Sequence, residues 1–187
     1  MKTLEICCYG AETASLAEEY GSDRLELCAG RSEGGLTPSY GELKLSLELS
    51  VPVYPMLRPR GGDFCYTSAE LSVMKEDLAM IRDLGFKGVV FGVLRPDGTV
   101  DTQAMSSRMK LAGPMEVTFH RAFDASRDPF ESLASLSDLG VARILSSGMK
   151  ATAEEGIALL KEMNERSKGP VIMAGSAVRP GNIRQFI

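Results

Sequence analysis

The sequence has no tryptophan, one histidine, and four cysteines with no CxxC pair among them. With His120 as its only histidine, one chain cannot build a multi-histidine metal site, and no Cys/His quartet exists for structural zinc. Basic residues are not in excess: 21 Lys and Arg stand against 25 Asp and Glu, a net charge of -4. That balance excludes a general nucleic-acid or membrane-surface binder, which needs a basic face. No apolar run approaches the ~20 residues that span a bilayer. Met1-Lys2-Thr3-Leu4-Glu5 places an acid where an export signal carries its apolar stretch, so the expected compartment is the cytoplasm. There Cys7, Cys8, Cys28 and Cys65 are expected as free thiols. The ten methionines follow no repeating spacing and read as core filler.

What is present suits one domain with a sizeable core: 187 residues, 44% hydrophobic and 25% charged. Strand-like runs recur at residues 4–8, 24–28, 51–57, 88–94, 115–120, 142–146 and 170–174. Helical patterns lie between most of them. Over 68–84, Leu71, Met74, Leu78, Ile81 and Leu84 form one apolar stripe, and Phe130, Leu133, Leu136 and Leu139 form another. Three helices should stop at Tyr20-Gly21, Leu84-Gly85 and Leu139-Gly140, where glycine supplies the left-handed closing residue. After strand two, Thr37 reads as a helix cap with Pro38 in the first turn. This alternation predicts a parallel α/β sheet with right-handed crossovers. A closed (β/α) barrel is favoured over an open sheet, because polar residues end nearly every strand and no GxGxxG loop occurs. Seven strands are counted where eight close such a barrel, so residues 1–187 are expected to form a single barrel domain, C-terminally incomplete. The resulting gap would expose strand edges, and a homodimer through it is the expected association.

Parity within the strands selects the interior. In Leu4-Glu5-Ile6-Cys7 and Leu25-Glu26-Leu27-Cys28, the apolar residues suit the helix-facing side, which turns Glu5, Cys7, Glu26 and Cys28 inward. Carboxylates placed there require partners, and strands three and five offer cations. Arg58, Arg60 and Asp63 in Leu57-Arg58-Pro59-Arg60-Gly61-Gly62-Asp63-Phe64 read either as an anion clamp or, for Arg58, as the neutralising partner of Glu5 or Glu26. His120 and Arg121 end strand five, Ser147 follows strand six and Gly175 follows strand seven. Small residues with exposed N–H groups at such ends commonly hold phosphate.

LEICC, DRLELCAG, SEGGLTPS, RPRGGDFCY, VTFHRAFD, SSG and VIMAG, in this order and spacing, resemble the CutC copper-homeostasis family over essentially the whole chain. The resemblance implies a cytoplasmic (β/α)8 TIM barrel linked to copper handling, with Cys7 and Cys28 as the copper ligands. Cu(I) prefers thiolates, and two can hold it in linear coordination. Adjacent strands about 4.8 Å apart could present Cys7 and Cys28 at matching heights across one ion, with Cys8 facing the helices. The alternative is an enzyme acting on a small anionic, phosphorylated substrate. Glu5, Glu26, Asp63 and His120 would then supply acid and base, and Arg58, Arg60, Arg121, Ser147 and Gly175 would bind the ligand. Glu5, Glu26 and His120 could also hold a hard divalent ion.

Overall fold

The computed structural model describes residues 2–187. Strands and helices alternate as the spacing requires: β1 (Glu5–Cys8), α1 (Ala11–Glu19), β2 (Arg24–Leu27), α2 (Tyr40–Ser46), β3 (Val53–Pro55), α3 (Ser68–Asp83), β4 (Gly88–Val90), α4 (Thr102–Ala112), β5 (Glu116–Phe119), α5 (Pro129–Leu139), β6 (Arg143–Ser146), α6 (Ile157–Arg166) and β7 (Val171–Ala174). The strands keep chain order in two ladders, β1-β2-β3 and β4-β5-β6-β7. The registers of β1 with β2, β2 with β3, β5 with β6 and β6 with β7 are all parallel. Among the described residues no eighth strand follows β7; a short 3-10 turn at Ile183–Phe186 comes after it.

The chain packs as two compact units. One runs to Phe91 and takes in Arg108–Val117; the other comprises Gly92–Ser107 and Thr118–Ile187. In the first, Leu25, Leu27, Leu43, Leu57, Met74, Leu78 and Ile81 are fully buried, which accounts for the α3 stripe. A second cluster, Cys28, Tyr54, Met56 and Val90, collects the side chains of opposite parity. The α3 start is fixed by Thr67, whose hydroxyl accepts from Glu70 N–H while the Glu70 carboxylate accepts from Thr67 N–H. Gly21 and Gly85 carry positive φ, as their stop positions demand. The helix after strand two departs from expectation. Ser39, not Thr37, caps α2 and accepts from Glu42 N–H. The Thr37 hydroxyl instead exchanges hydrogen bonds with the Arg58 backbone at 2.9 and 3.1 Å, tying this loop to the end of β3.

In the second unit Phe119, Phe123, Leu136, Ile144 and Met163 form the core. Asp128 caps α5 by accepting from Phe130 and Glu131 N–H. Beyond β6 two backbone segments touch. A Cβ on Gly148 would lie 2.2 Å from the Gly156 carbonyl oxygen, and one on Gly156 would lie 1.9 Å from that of Ser147.

Candidate metal centre

The β1–β2 register sets the geometry. Cys7 stands beside Glu26, and Cys28 lies two residues on, just past the end of β2. Cys7 and Cys28 are therefore diagonal neighbours rather than level ones, which corrects the matching heights expected from the sequence. The stagger brings the intervening carboxylate in: one ligand atom from each of Cys7, Glu26 and Cys28 lies within 4.8 Å of the others. The two sulfurs are 3.8 Å apart. Diagonal positions across strands are too far apart for an easy disulfide, whose Cα atoms must approach within about 7 Å. All four cysteines are free thiols.

The three groups differ in exposure and in proton affinity. Cys7 is exposed, whereas Cys28 and Glu26 are buried. A hydrogen bond with Cys28, reinforced by Glu26 and Tyr9, lowers the Cys7 thiol to about 6 against the penalty of desolvation. The Cys28 thiol moves up, because of its hydrogen bond with Cys7 and because it is buried beside Glu26. The pair thus sheds its first proton from Cys7 and keeps the other on Cys28. Burial raises the Glu26 carboxyl well above the carboxylate range, and the charges of Cys7 and Glu5 raise it further. Glu26 Oε1 has no hydrogen-bond partner among the described residues. Cys8 turns the other way, its thiol against the carbonyls of Ile6 and Thr13, and burial pushes it up to about 11.

The remaining sequence-predicted residues are engaged elsewhere. Glu5 pairs with Arg24 of β2, not with a cation from strand three or five. Arg58 neutralises neither Glu5 nor Glu26. It is buried, donates to the carbonyls of Glu33, Gly35 and Gly62, and lies over the Phe64 ring. Arg60 spends all five of its N–H donors within its own loop and the start of α3, on Glu70, the Gly61 and Asp63 carbonyls, the Asp63 carboxylate and the Cys65 carbonyl. Asp63, expected among the acid–base groups, braces that loop by accepting from Arg60 and Cys65 N–H. Carbonyls of neighbouring turns occupy both terminal nitrogens of Arg58, whose buried Nε has no partner among the described residues, while carbonyls and carboxylates together take every donor of Arg60.

In the second unit His120 is buried and its Nδ1 accepts from Ala122 N–H at 3.2 Å, opening a 3-10 turn at Arg121–Ala125. Arg121 donates to Asp124 and to the Ser147 hydroxyl. The N–H groups of Ser147 and Met149, which could have cradled a phosphate, both donate to Asp124. The chain's own carboxylate thus fills the anion position read at Ser147. Gly175 N–H donates to the Ser146 carbonyl. The structure therefore brings together Cys7, Glu26 and Cys28 from the expected set, and leaves Glu5, Arg58, Arg60 and Asp63 in other contacts of their own unit.

Sequence reading missed three groups: Tyr9, Asp124 and Arg143. Tyr9 lies two residues past Cys7, so the same parity would have placed it beside that thiol. Arg143 is buried and donates to the Thr118 hydroxyl across the β5–β6 pairing. Only the register reveals that contact.

Residues 2–187 match the model of the CutC family. A CutC protein of Proteus mirabilis (strain HI4320) is 54% identical over 188 residues, covering all of this chain and 75% of the relative. A second, from Photorhabdus laumondii, is 55% identical over the same length and covers 76% of the relative. Among solved structures, a candidate copper homeostasis protein CutC from Streptococcus agalactiae superposes with a TM-score of 0.92 at 31% identity, over 98% of this chain and 92% of that one. The alternating α/β order and that superposition give this chain a TIM-barrel-like fold.

Proposed function

Since the chain belongs to the CutC family, we propose that it binds monovalent copper through the sulfurs of Cys7 and Cys28 and serves copper handling in the cytoplasm. The observation that carries this reading is the pair of free sulfurs 3.8 Å apart on neighbouring strands. Thiolates are soft donors that select Cu(I) over hard ions. Cys7 is the thiol that gives up its proton near neutrality, and a bound cation would draw off the one left on Cys28. Cys8 stays outside the site because its thiol faces backbone carbonyls. A cytoplasmic setting keeps such thiols reduced. No described helix is long and apolar enough to cross a membrane.

The donor set fits copper without help from the arginine-rich loop, whose guanidinium groups are already engaged. The test is anaerobic competition for Cu(I) against a colorimetric chelator. Cys7→Ser with Cys28→Ser should abolish competition, while Cys8→Ser should leave it intact. An unchanged affinity in the double variant removes the proposal.

A further inference from the structure

We infer that Glu26 makes this centre a three-donor site for a divalent cation of borderline softness, such as Zn(II), and is the residue that separates divalent from monovalent metals. The inference rests on the reading above that Cys7 and Cys28 are ligands, and goes beyond it in naming a third donor and a second class of ion. Three observations carry it.

The first is the sulfur separation. Two thiolates on a tetrahedral ion, with metal–sulfur bonds of about 2.3 Å, lie about 3.8 Å apart; on a linear ion with such bonds they would lie about 4.6 Å apart. The sulfurs stand at 3.8 Å. That separation, set by the hydrogen bond between the two thiols, matches the edge of a tetrahedron without rearrangement, whereas linear Cu(I) would open the pair by somewhat less than about 1 Å.

The second is the place of the carboxylate. Glu26 is level with Cys7 in the ladder and shares a face with Cys28 two residues on. Its donor atom falls within 4.8 Å of both sulfurs, so the three form one triangle.

The third is that Glu26 is only 5% exposed, and Oε1 accepts no hydrogen bond among the described residues. A buried polar atom without a partner is costly and rare, and in native proteins it commonly marks a site for an ion or water. The neighbouring cation of β2, Arg24, is paired with Glu5. Two thiolates and a carboxylate leave one negative charge on a divalent ion and two on a monovalent one, and burial favours the smaller residual charge. Cys7, on the exposed side, leaves room for a fourth ligand from solvent, as in zinc sites that keep one position open.

The experiment is anaerobic metal titration of the whole chain with the metal alone, Zn(II) and Cu(I) in parallel against chromophoric chelators. Co(II) serves as a spectroscopic stand-in for zinc, and the variants are Glu26→Gln, Glu26→Asp and Cys7→Ser/Cys28→Ser. Glu26→Gln should weaken Zn(II) by about ten-fold or more, the scale expected when support of a metal centre is removed. It should leave Cu(I) within about three-fold, under 1 kcal/mol. Co(II) should give sulfur-to-metal charge transfer with tetrahedral visible bands in the parent, and lose the tetrahedral bands in Glu26→Gln. Glu26→Asp keeps the donor and guards against misfolding of the amide variant; it should retain more Zn(II) affinity than Glu26→Gln. Equal loss of Cu(I) and Zn(II) in Glu26→Gln, or no loss of Zn(II), overturns the inference. A parent that binds Cu(I) but not Zn(II) overturns it too, while leaving the copper reading standing. Metal binding that survives the double cysteine variant unchanged overturns both.

Discussion

Replacing Asp124 by alanine should destabilise the second unit strongly. Its side chain is 9% exposed and accepts from the Ser146 hydroxyl at 2.6 Å, the Ser147 hydroxyl at 3.0 Å, Ser147 N–H at 3.0 and 3.1 Å, Met149 N–H at 3.1 Å and Arg121 Nε at 2.9 Å. Alanine strips the backbone donors of Ser147 and Met149 of their acceptor. Met149 also sits at φ 57, a left-handed conformation that this contact helps to hold. Each buried donor left unsatisfied costs about 1–3 kcal/mol. Arg121 is half-exposed and recovers water, and the Ser147 hydroxyl keeps the Lys150 carbonyl, so neither adds much. The expected loss is about 3–5 kcal/mol, the range for removing one partner from a buried charged contact. For a protein of this size that lowers the melting temperature by roughly 6–20 °C. Asp124→Asn preserves the shape and one acceptor oxygen, and should lose about half as much. Urea denaturation followed by circular dichroism measures both. A loss below about 1 kcal/mol for the alanine variant would show that water replaces the carboxylate, and the account of a self-filled anion position would fail.

Three further outcomes follow from other parts of the structure. Cys7 should be protonated and slow to alkylate below about pH 6 and reactive above it, because its folded value is depressed to about 6; mass-resolved iodoacetamide labelling across pH checks this, and a midpoint near the ordinary 9.0 refutes it. Gly88→Ala should cost about 1–3 kcal/mol by overpacking, since its Cβ would lie 2.5 Å from the Tyr54 ring, whose hydroxyl is held by Glu116 and whose face is covered by Arg24. A melting temperature equal to the parent's would mean the ring can move. Thr67→Ala should lose about 1 kcal/mol through the α3 capping box, with hydrogen exchange accelerated first at Glu70 N–H; uniform exchange would argue against it.

The strands and the long helices were legible because each obeys one periodicity. Every expected strand run contains an observed strand, and the 68–84 stripe is α3, Ser68–Asp83. Parity within β1 and β2 likewise picked out Cys7, Glu26 and Cys28, since the two strands repeat one pattern. Register was not legible. Nothing within either strand says that Cys7 meets Glu26 rather than Cys28, and that two-residue offset turns a two-sulfur pair into a three-donor group. The arginines are hard to read for a related reason. Arg58 and Arg60 among glycines look like a clamp, but most of their acceptors are backbone carbonyls, which every residue carries, and the Glu70 and Asp63 carboxylates take the rest of Arg60. Thr37 before Pro38 and Ser39 before Tyr40 are equally good caps on paper; the end of β3 takes the first and leaves the second.

The contact between Gly148 and Gly156 has a consequence at the level of the coding sequence. Every non-synonymous single-base change in a glycine codon yields either a residue with a Cβ or a stop. At these two positions any such Cβ falls within 2.2 Å of a carbonyl oxygen of the facing backbone segment, too close for a side-chain rotation to relieve. Both positions should therefore be empty of missense variants in a saturation library selected for folded protein. Neither can rescue the other, since each clash is with main chain rather than with a partner that could shrink.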